Sequence, residues 1–262
     1  MAELSLHDWL LTPLGQHVLT QEQRVLDDAV CNIFGYNALQ VFMPELDALR
    51  ANRIAHRITL CRQGPTSLRA EPHALPLATQ SIDLAVLPHA LEFSPNPHAI
   101  LREITRVLRP EGRLVLTAFN PRSLWGLRQS FSRGSAEYPW CGHFIALSRL
   151  KDWLSLLGFE VSAGRFWAYV PPFQSDRWLH RFRFMEPAGD RWWGVGGGVY
   201  MLQAVKRVHG MRLITPRWSP SLVPNKVLAR AVRSTATHYH AIPSHKVLPF
   251  VRTPRPPEGH AP

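Results

Sequence analysis

The chain has 262 residues, 45% hydrophobic and 19% charged, a balance that excludes a disordered protein and suits one α/β domain with appendages, since a single core serves up to roughly 250 residues. No stretch approaches the roughly 20 consecutive apolar residues of a membrane span, and the start, with Glu3, His7 and Asp8, lacks the basic residues and apolar run of a secretion signal. The formal charge of +11 gathers in the last third, through Lys206, Arg207, Arg212, Arg217, Lys226, Arg230, Arg233, Lys246, Arg252 and Arg255, a segment that suits phosphates or an acidic surface, or serves as a solubilising extension.

The three cysteines, Cys31, Cys61 and Cys141, have no short metal-site spacing and form no even disulfide framework, so a reducing cytoplasm is the expected compartment. In chain order, Thr20 with Gln23 forms a capping-box pattern. It predicts a helix carrying Val25, Leu26, Ala29, Val30, Ile33 and Phe34 on one apolar stripe and stopping at Gly35. Residues 1–36 are thus read as an N-terminal helical segment.

Short apolar bursts come next, Ala38 to Phe42 and Ile54 to Leu60, read as strands on either side of a short helical piece at Glu45 to Arg50. Ile82 to Leu87 is almost continuously apolar, as a strand covered on both faces is. Asn96-Pro97 is a cap and first-turn pair, and Ile100, Leu101, Ile104, Val107 and Leu108 make an amphipathic helix face behind it. Arg109-Pro110-Glu111-Gly112 turns the chain into a buried strand at Leu114 to Ala118, giving a right-handed crossover between parallel strands. A helix from Ser148 to Gly158 and a strand from Phe159 to Val170 continue the alternation.

Residues 171–193, with Pro171, Pro172 and aromatics including Trp178, Phe182, Phe184, Trp192 and Trp193, show no period and read as an insertion. Gly194, Gly196, Gly197 and Gly198 precede the strand Val199 to Val205. A phosphate loop needs a strand before it and a helix after it, so the glycines read as a turn returning the last strand antiparallel. The domain is therefore expected at 37–208, and 209–262 as a basic, proline-rich tail.

The run from Leu75-Pro76-Leu77 to Ser81-Ile82-Asp83-Leu84-Ala85-Val86, and from His98 to Arg109-Pro110-Glu111-Gly112-Arg113-Leu114-Val115-Leu116, resembles the methyltransferase type 11 group of class I enzymes. The flank Asn120-Pro121-Arg122-Ser123-Leu124-Trp125-Gly126-Leu127-Arg128 resembles a small bacterial branch of that group. The resemblance implies a Rossmann-like α/β fold: a mostly parallel seven-stranded sheet with the last strand antiparallel and helices on both faces. It also implies the cofactor S-adenosylmethionine across the carboxyl ends of the first, second and fourth strands, the position that open α/β sheets favour for ligands.

By the same resemblance Glu71 accepts a hydrogen bond from the adenine amino group, beside Leu75, and Pro88 and His89 line the methionine part; a surface Glu71 and a packed His89 are the alternatives. Phe42 stands where the family carries its glycine-rich turn after the first strand, and Asp83 reads as a structural acid. The sequence departs from the family there, as Leu39-Gln40-Val41-Phe42-Met43-Pro44-Glu45 has no glycine and Pro44 has no N–H. The second strand is followed by Cys61-Arg62-Gln63, without the carboxylate that holds the ribose.

Methyl transfer from a sulfonium is an in-line displacement that needs alignment and exclusion of water, so the absence of an acid–base constellation fits it, and no catalytic residue is assigned. A small-molecule acceptor is expected between the loop holding Asn120, Arg122, Ser123 and Trp125 and the insertion at 171–193, where aromatics suit an apolar or planar body or simply pack a lid. The expected activity is methyl transfer to an unidentified acceptor. The alternative is a non-catalytic binding or scaffold module, associated with nucleic acid through its basic tail. Pro88-His89-Ala90-Leu91 lacks the Asn-Pro-Pro-Tyr-like pattern of DNA-base amino methylation.

Overall fold

The computed structural model describes residues 6–62, 66–132 and 137–208; the expected basic tail, 209–262, lies outside the described residues. The elements are α1 (Leu6–Leu10), α2 (Pro13–Val30), β1 (Asn37–Val41), β2 (His56–Cys61), β3 (Leu68–Arg69), β4 (Ile82–Pro88), α3 (Pro97–Val107) and β5 (Leu108–Phe119). After them come α4 (Leu124–Phe131), α5 (Leu147–Leu156), β6 (Phe159–Trp167), α6 (Asp176–Arg181), α7 (Met185–Trp192) and β7 (Val199–Lys206). The strands form one seven-stranded sheet in the order β3-β2-β1-β4-β5-β7-β6. The neighbours from β3 to β5 pair in parallel, and β7 is antiparallel to both β5 and β6. The chain order reverses between β1 and β4, so their carboxyl ends splay apart at a switch point.

Alternation along the strands builds two cores. Ala38, Leu84 and Val86 join Leu14, Val18, Leu26 and Val30 of α2 on one face. Leu39, Val41, Ala85 and Leu87 join Ile100, Leu101 and Ile104 of α3 and Leu150 and Leu154 of α5 on the other. The side-chain period of two in a strand puts neighbours on opposite faces, which is why a strand covered twice reads as a continuous apolar run.

Helix α2 starts earlier than the capping-box pattern indicates. Thr12 is its cap, accepting from the Gly15 N–H at 3.1 Å, and Pro13 fills the first turn, where its missing N–H costs nothing. Thr20 is mid-helix and donates its hydroxyl to the Gln16 carbonyl at 2.8 Å. The helical piece expected at Glu45 to Arg50 is instead a series of turns. Buried Gln40 donates to the Met43 and Leu46 carbonyls and accepts from the Ala48 N–H, so a side chain satisfies backbone groups that a helix would have paired internally.

Helix α3 matches its sequence signal, with Asn96 Oδ1 accepting from the Ala99 N–H at 3.1 Å. The turn at 109–112 is absorbed into β5 as a bulge, where pairing passes from Ile82–Leu108 to Leu84–Arg113. Asp83 is structural: one oxygen takes the Tyr36 and Asn37 N–H groups at 2.7 and 2.9 Å, and the other meets Arg109 at 3.0 Å. A Cβ on Gly35 would lie 2.4 Å from the Cβ of Asp83, so that close approach requires glycine. Strand β6 ends at Trp167 rather than Val170 because Ala168 turns left-handed, with φ +58°. The insertion is not irregular: it holds two short helices, and Phe182 stacks on both Phe173 and Trp178 around α6 and meets Phe184 at a tilt before α7.

Candidate functional site

At the switch point the loop after β1 keeps a glycine-like path without glycine. Phe42 and Met43 both lie in the left-handed region, with φ +74° and +51°, a conformation that costs a non-glycine residue on the order of 1–3 kcal/mol. The Phe42 N–H donates to the Leu60 carbonyl at 2.8 Å, and the Gln40 side chain holds the turns at 43–48. The Phe42 ring stacks on Phe93 at 5.9 Å, and Phe93 meets Tyr138 at 4.8 Å. A ladder of three rings therefore joins the loop after β1 to the segment after β4.

Directly after β4 stands a buried charged cluster. His89, 3% exposed and itself left-handed at φ +50°, donates from Nδ1 to Glu92 at 2.7 Å and has its Nε2 3.4 Å from Glu22, both carboxyl side chains being fully buried. Glu22, on α2, also accepts from the Thr117 hydroxyl at 2.6 Å, and Glu92 accepts from the Phe119 N–H. Burial by itself is the largest influence on His89 and opposes its charge; the two carboxylates override it and raise its pKa to about 10. Burial pushes Glu92 upward, against the pull of His89 and the Phe119 N–H. His89 is thus an imidazolium clamped in the core at neutral pH, with no side-chain surface toward a ligand. This is the packed alternative for His89: Glu92 takes Nδ1 and Glu22 faces Nε2, so the side chain would act on the lining only through the backbone it fixes.

The remaining candidates separate into three locations. Glu71, just past β3, is partly exposed and pairs with Arg62 at the end of β2 at 2.8 Å. Leu75 is buried behind it, its N–H donating to Glu103 at 3.0 Å, and Pro88 is buried as the last residue of β4. Trp125 lies in the core, 1% exposed, its Nε1–H donating to the Val170 carbonyl at 3.0 Å. It packs α4 into the core, which is the packing alternative read for these tryptophans from the sequence. Ser123 caps α4, and Arg128 sits over the Trp140 ring at 4.7 Å while donating to the Pro172 carbonyl; both are occupied internally.

Asn120 and Arg122 line a cleft of about 600 Å³ with Leu147, Ser148, Lys151, Phe166, Trp192, Trp193 and the turn Gly194–Gly196. The Asn120 amide is committed, donating to the carbonyls of Val195 and Gly197 at 2.9 and 3.0 Å and accepting from the Arg122 N–H at 3.0 Å. It fixes the glycine turn to the end of β5. A second cleft of about 380 Å³ is lined by Leu91, Ser94, His143, Phe144, Arg149 and Trp153 among others. Helix α5 begins between the two, giving Leu147, Ser148 and Lys151 to one and Ala146 and Arg149 to the other. Sequence reasoning missed Glu22, Glu92 and Lys151; only Glu92, three residues beyond His89, had a local signal.

A parallel sheet with this switch point and an antiparallel β7 between β5 and β6 defines a class I, Rossmann-like methyltransferase fold. A methyltransferase domain family matches residues 25–116. The uncharacterized protein YafS of Escherichia coli (strain K12) is 35% identical over 162 residues, 60% of this chain and 67% of that protein. The malonyl-[acyl-carrier protein] O-methyltransferase of Laribacter hongkongensis is 34% identical over 102 residues, 39% of this chain and 34% of its own length; the chain thus spans two thirds of the first relative and about a third of the second. A chain from the complex between the Haloferax volcanii Trm112 methyltransferase activator and a methyltransferase superposes with a TM-score of 0.55 at 14% identity, over 79% of this chain and 100% of that one, and shares its fold. The chain belongs to the class I methyltransferases, in their type 11 group.

The family cofactor is S-adenosylmethionine, and the residues present fit its adenine end. Glu71 offers an accessible carboxylate beside the apolar floor at Leu75, and the left-handed Phe42–Met43 turn preserves the path that a glycine turn takes. The ribose end departs, because β2 runs into Cys61 and Arg62 with no carboxylate.

Proposed function

We propose that this chain is an S-adenosylmethionine-dependent methyltransferase acting on a small acceptor bound in the cleft of Arg122, Trp192 and Trp193. The observation that carries the reading is the placement of that cleft. It opens at the carboxyl edge of β5, where Phe119, directly before Asn120, stacks on His89 at the end of β4 with ring centroids 4.2 Å apart. In this reading the acceptor and the cofactor would share one edge of the sheet. When bound, the cofactor supplies an electrophilic methyl group. Glu71 would accept a hydrogen bond from the adenine amino group, Leu75 and Phe42 would line the cofactor's place beside it, and the buried His89 cluster fixes the backbone after Pro88. An acceptor covering the rings of the cleft would displace water from them, and this exclusion together with alignment would account for acceleration without a dedicated base.

A second reading is a non-catalytic binding module of the same fold. The observation favouring it is the Phe42–Phe93–Tyr138 ladder, which joins the loop after β1 to the segment after β4, the edge at which the resemblance implies the cofactor. Calorimetric titration of the full chain with S-adenosylmethionine and its demethylated product, for the native protein and Glu71→Ala, separates the two. Binding at about micromolar Kd, weakened about tenfold by Glu71→Ala, supports the enzyme; no heat and no thermal stabilisation at millimolar ligand establishes the second reading.

A further inference from the structure

The larger cleft has walls of one kind and charges of one sign. Phe166 at the end of β6 and Trp192 and Trp193 at the end of α7 form its apolar sides, and the two tryptophans remain 76% and 54% exposed. Rings of this size left in water beside one another leave apolar area for a ligand to cover. Arg122 and Lys151 stand exposed at the rim, and among the described residues neither side chain has an ion-pair partner and no Asp or Glu lines the cleft.

The backbone adds to this polarity. Helix α5 opens its first turn into the cleft through Leu147 and Ser148, and its cap residue, Ala146, makes no side-chain capping hydrogen bond. The first N–H groups of a helix have no partners within it and carry partial positive charge, so an uncapped start beside two cations favours an anion. Asn120 holds the glycine turn to the end of β5, so the tryptophan wall and Arg122 keep a fixed separation without using either side chain.

We propose that this cleft selects an amphipathic anion: a planar or apolar body between Phe166, Trp192 and Trp193, with a carboxylate or phosphate held by Arg122, Lys151 and the start of α5. Naming this ligand the methyl acceptor rests on the methyltransferase reading; the binding chemistry of the cleft does not. Arg122 provides a forked donor for a planar anion and Lys151 a point charge. A neutral ligand of the same shape would cover the rings and leave both cations unused.

The test is calorimetric titration of the full chain with naphthoate, naphthyl phosphate and neutral naphthalenemethanol. The expected result is that at least one anion binds about tenfold or more tighter than the alcohol, and whichever anion is tighter identifies the head group. Arg122→Gln and Lys151→Gln should each erase most of that preference while leaving the alcohol unchanged. Trp192→Ala should weaken all three probes, with an unchanged Tm showing an intact fold. Equal affinity for the alcohol and both anions, failure of all three to bind, or a preference that survives the Arg122→Gln/Lys151→Gln double variant overturns the proposal. A protein that binds naphthoate but not the demethylated cofactor loses the methyltransferase reading and keeps the cleft assignment; one that binds the cofactor product and none of the probes does the reverse.

Discussion

The carboxyl edge of the sheet has two ends that solve opposite problems. Where β1 and β4 part, rings and buried charges close the structure: Phe42 on Phe93 on Tyr138, and His89 between Glu22 and Glu92. Beyond β5 the edge is open, with tryptophans in water and two cations that have no ion-pair partner among the described residues. The first end uses its polar groups on one another and thereby sets the backbone. The second leaves its polar groups available, which is what recognition of an outside molecule requires. Chemical capacity in this chain therefore tracks unsatisfied groups rather than charge, since the most strongly perturbed histidine is also the least able to reach a ligand.

The contrast breaks most visibly at His89. Replacing it with Ala leaves Glu22 and Glu92 facing each other in the core, and loss of one member of a buried charge set costs about 3–5 kcal/mol; urea unfolding measures it, and a loss under about 1 kcal/mol would mean that the cluster is not charged. The pH dependence has a definite sign. The folded pKa of His89, about 10, lies above its ordinary 6.5, so its contribution is complete below about 6.5 and lost as pH rises through 10. The raised Glu92 acts in the same direction. Tm should fall over this range in the native chain, and a His89→Gln variant should show a flatter profile.

Asn120→Ala removes the two bonds that pin the glycine turn, to Val195 and Gly197, together with the one that holds the Arg122 N–H, and should cost about 1–3 kcal/mol, with naphthoate affinity falling as the tryptophan wall loosens; unchanged affinity in calorimetry would separate the turn from the cleft. Phe42→Gly tests the closed end. Glycine relieves a left-handed strain of roughly 1 kcal/mol while losing the stack on Phe93, so stability should change modestly and affinity for the demethylated cofactor should rise; a fall would show that the ring belongs to the binding face. The smallest effect is expected at Arg62→Ala, whose partly exposed pair with Glu71 is worth under about 1 kcal/mol, and which should leave Tm within a degree or two.

Much of the architecture was legible because it depends on short-range pattern. The continuous apolar run of β4, the Asn96-Pro97 start of α3 and the glycine turn before β7 correspond to observed elements, as does the seven-stranded sheet with an antiparallel last strand that the family resemblance implied. Several features were not legible for one shared reason. The true start of α2, the Gln40-held turns at 43–48 and the ring packing of the insertion depend on which side chain satisfies which nearby backbone group or ring, a choice that hydrophobic period does not encode. The candidate site divided along the same line: Arg122 reached the cleft as its loop position suggested, whereas Trp125 turned into the core because its indole N–H found the Val170 carbonyl.

By itself the sequence determined the alternation of strands and helices, since hydrophobic period, caps and turn residues act within a few positions along the chain, while the fold class and the cofactor edge of the sheet followed from its resemblance to a family. Only the tertiary structure decided which polar groups remain free. Glu22 meets Thr117 and His89 across long stretches of chain, and Arg122 and Lys151 converge from different elements. Electrostatic pairing depends on distance in space and on burial, and neither is a property of sequence separation.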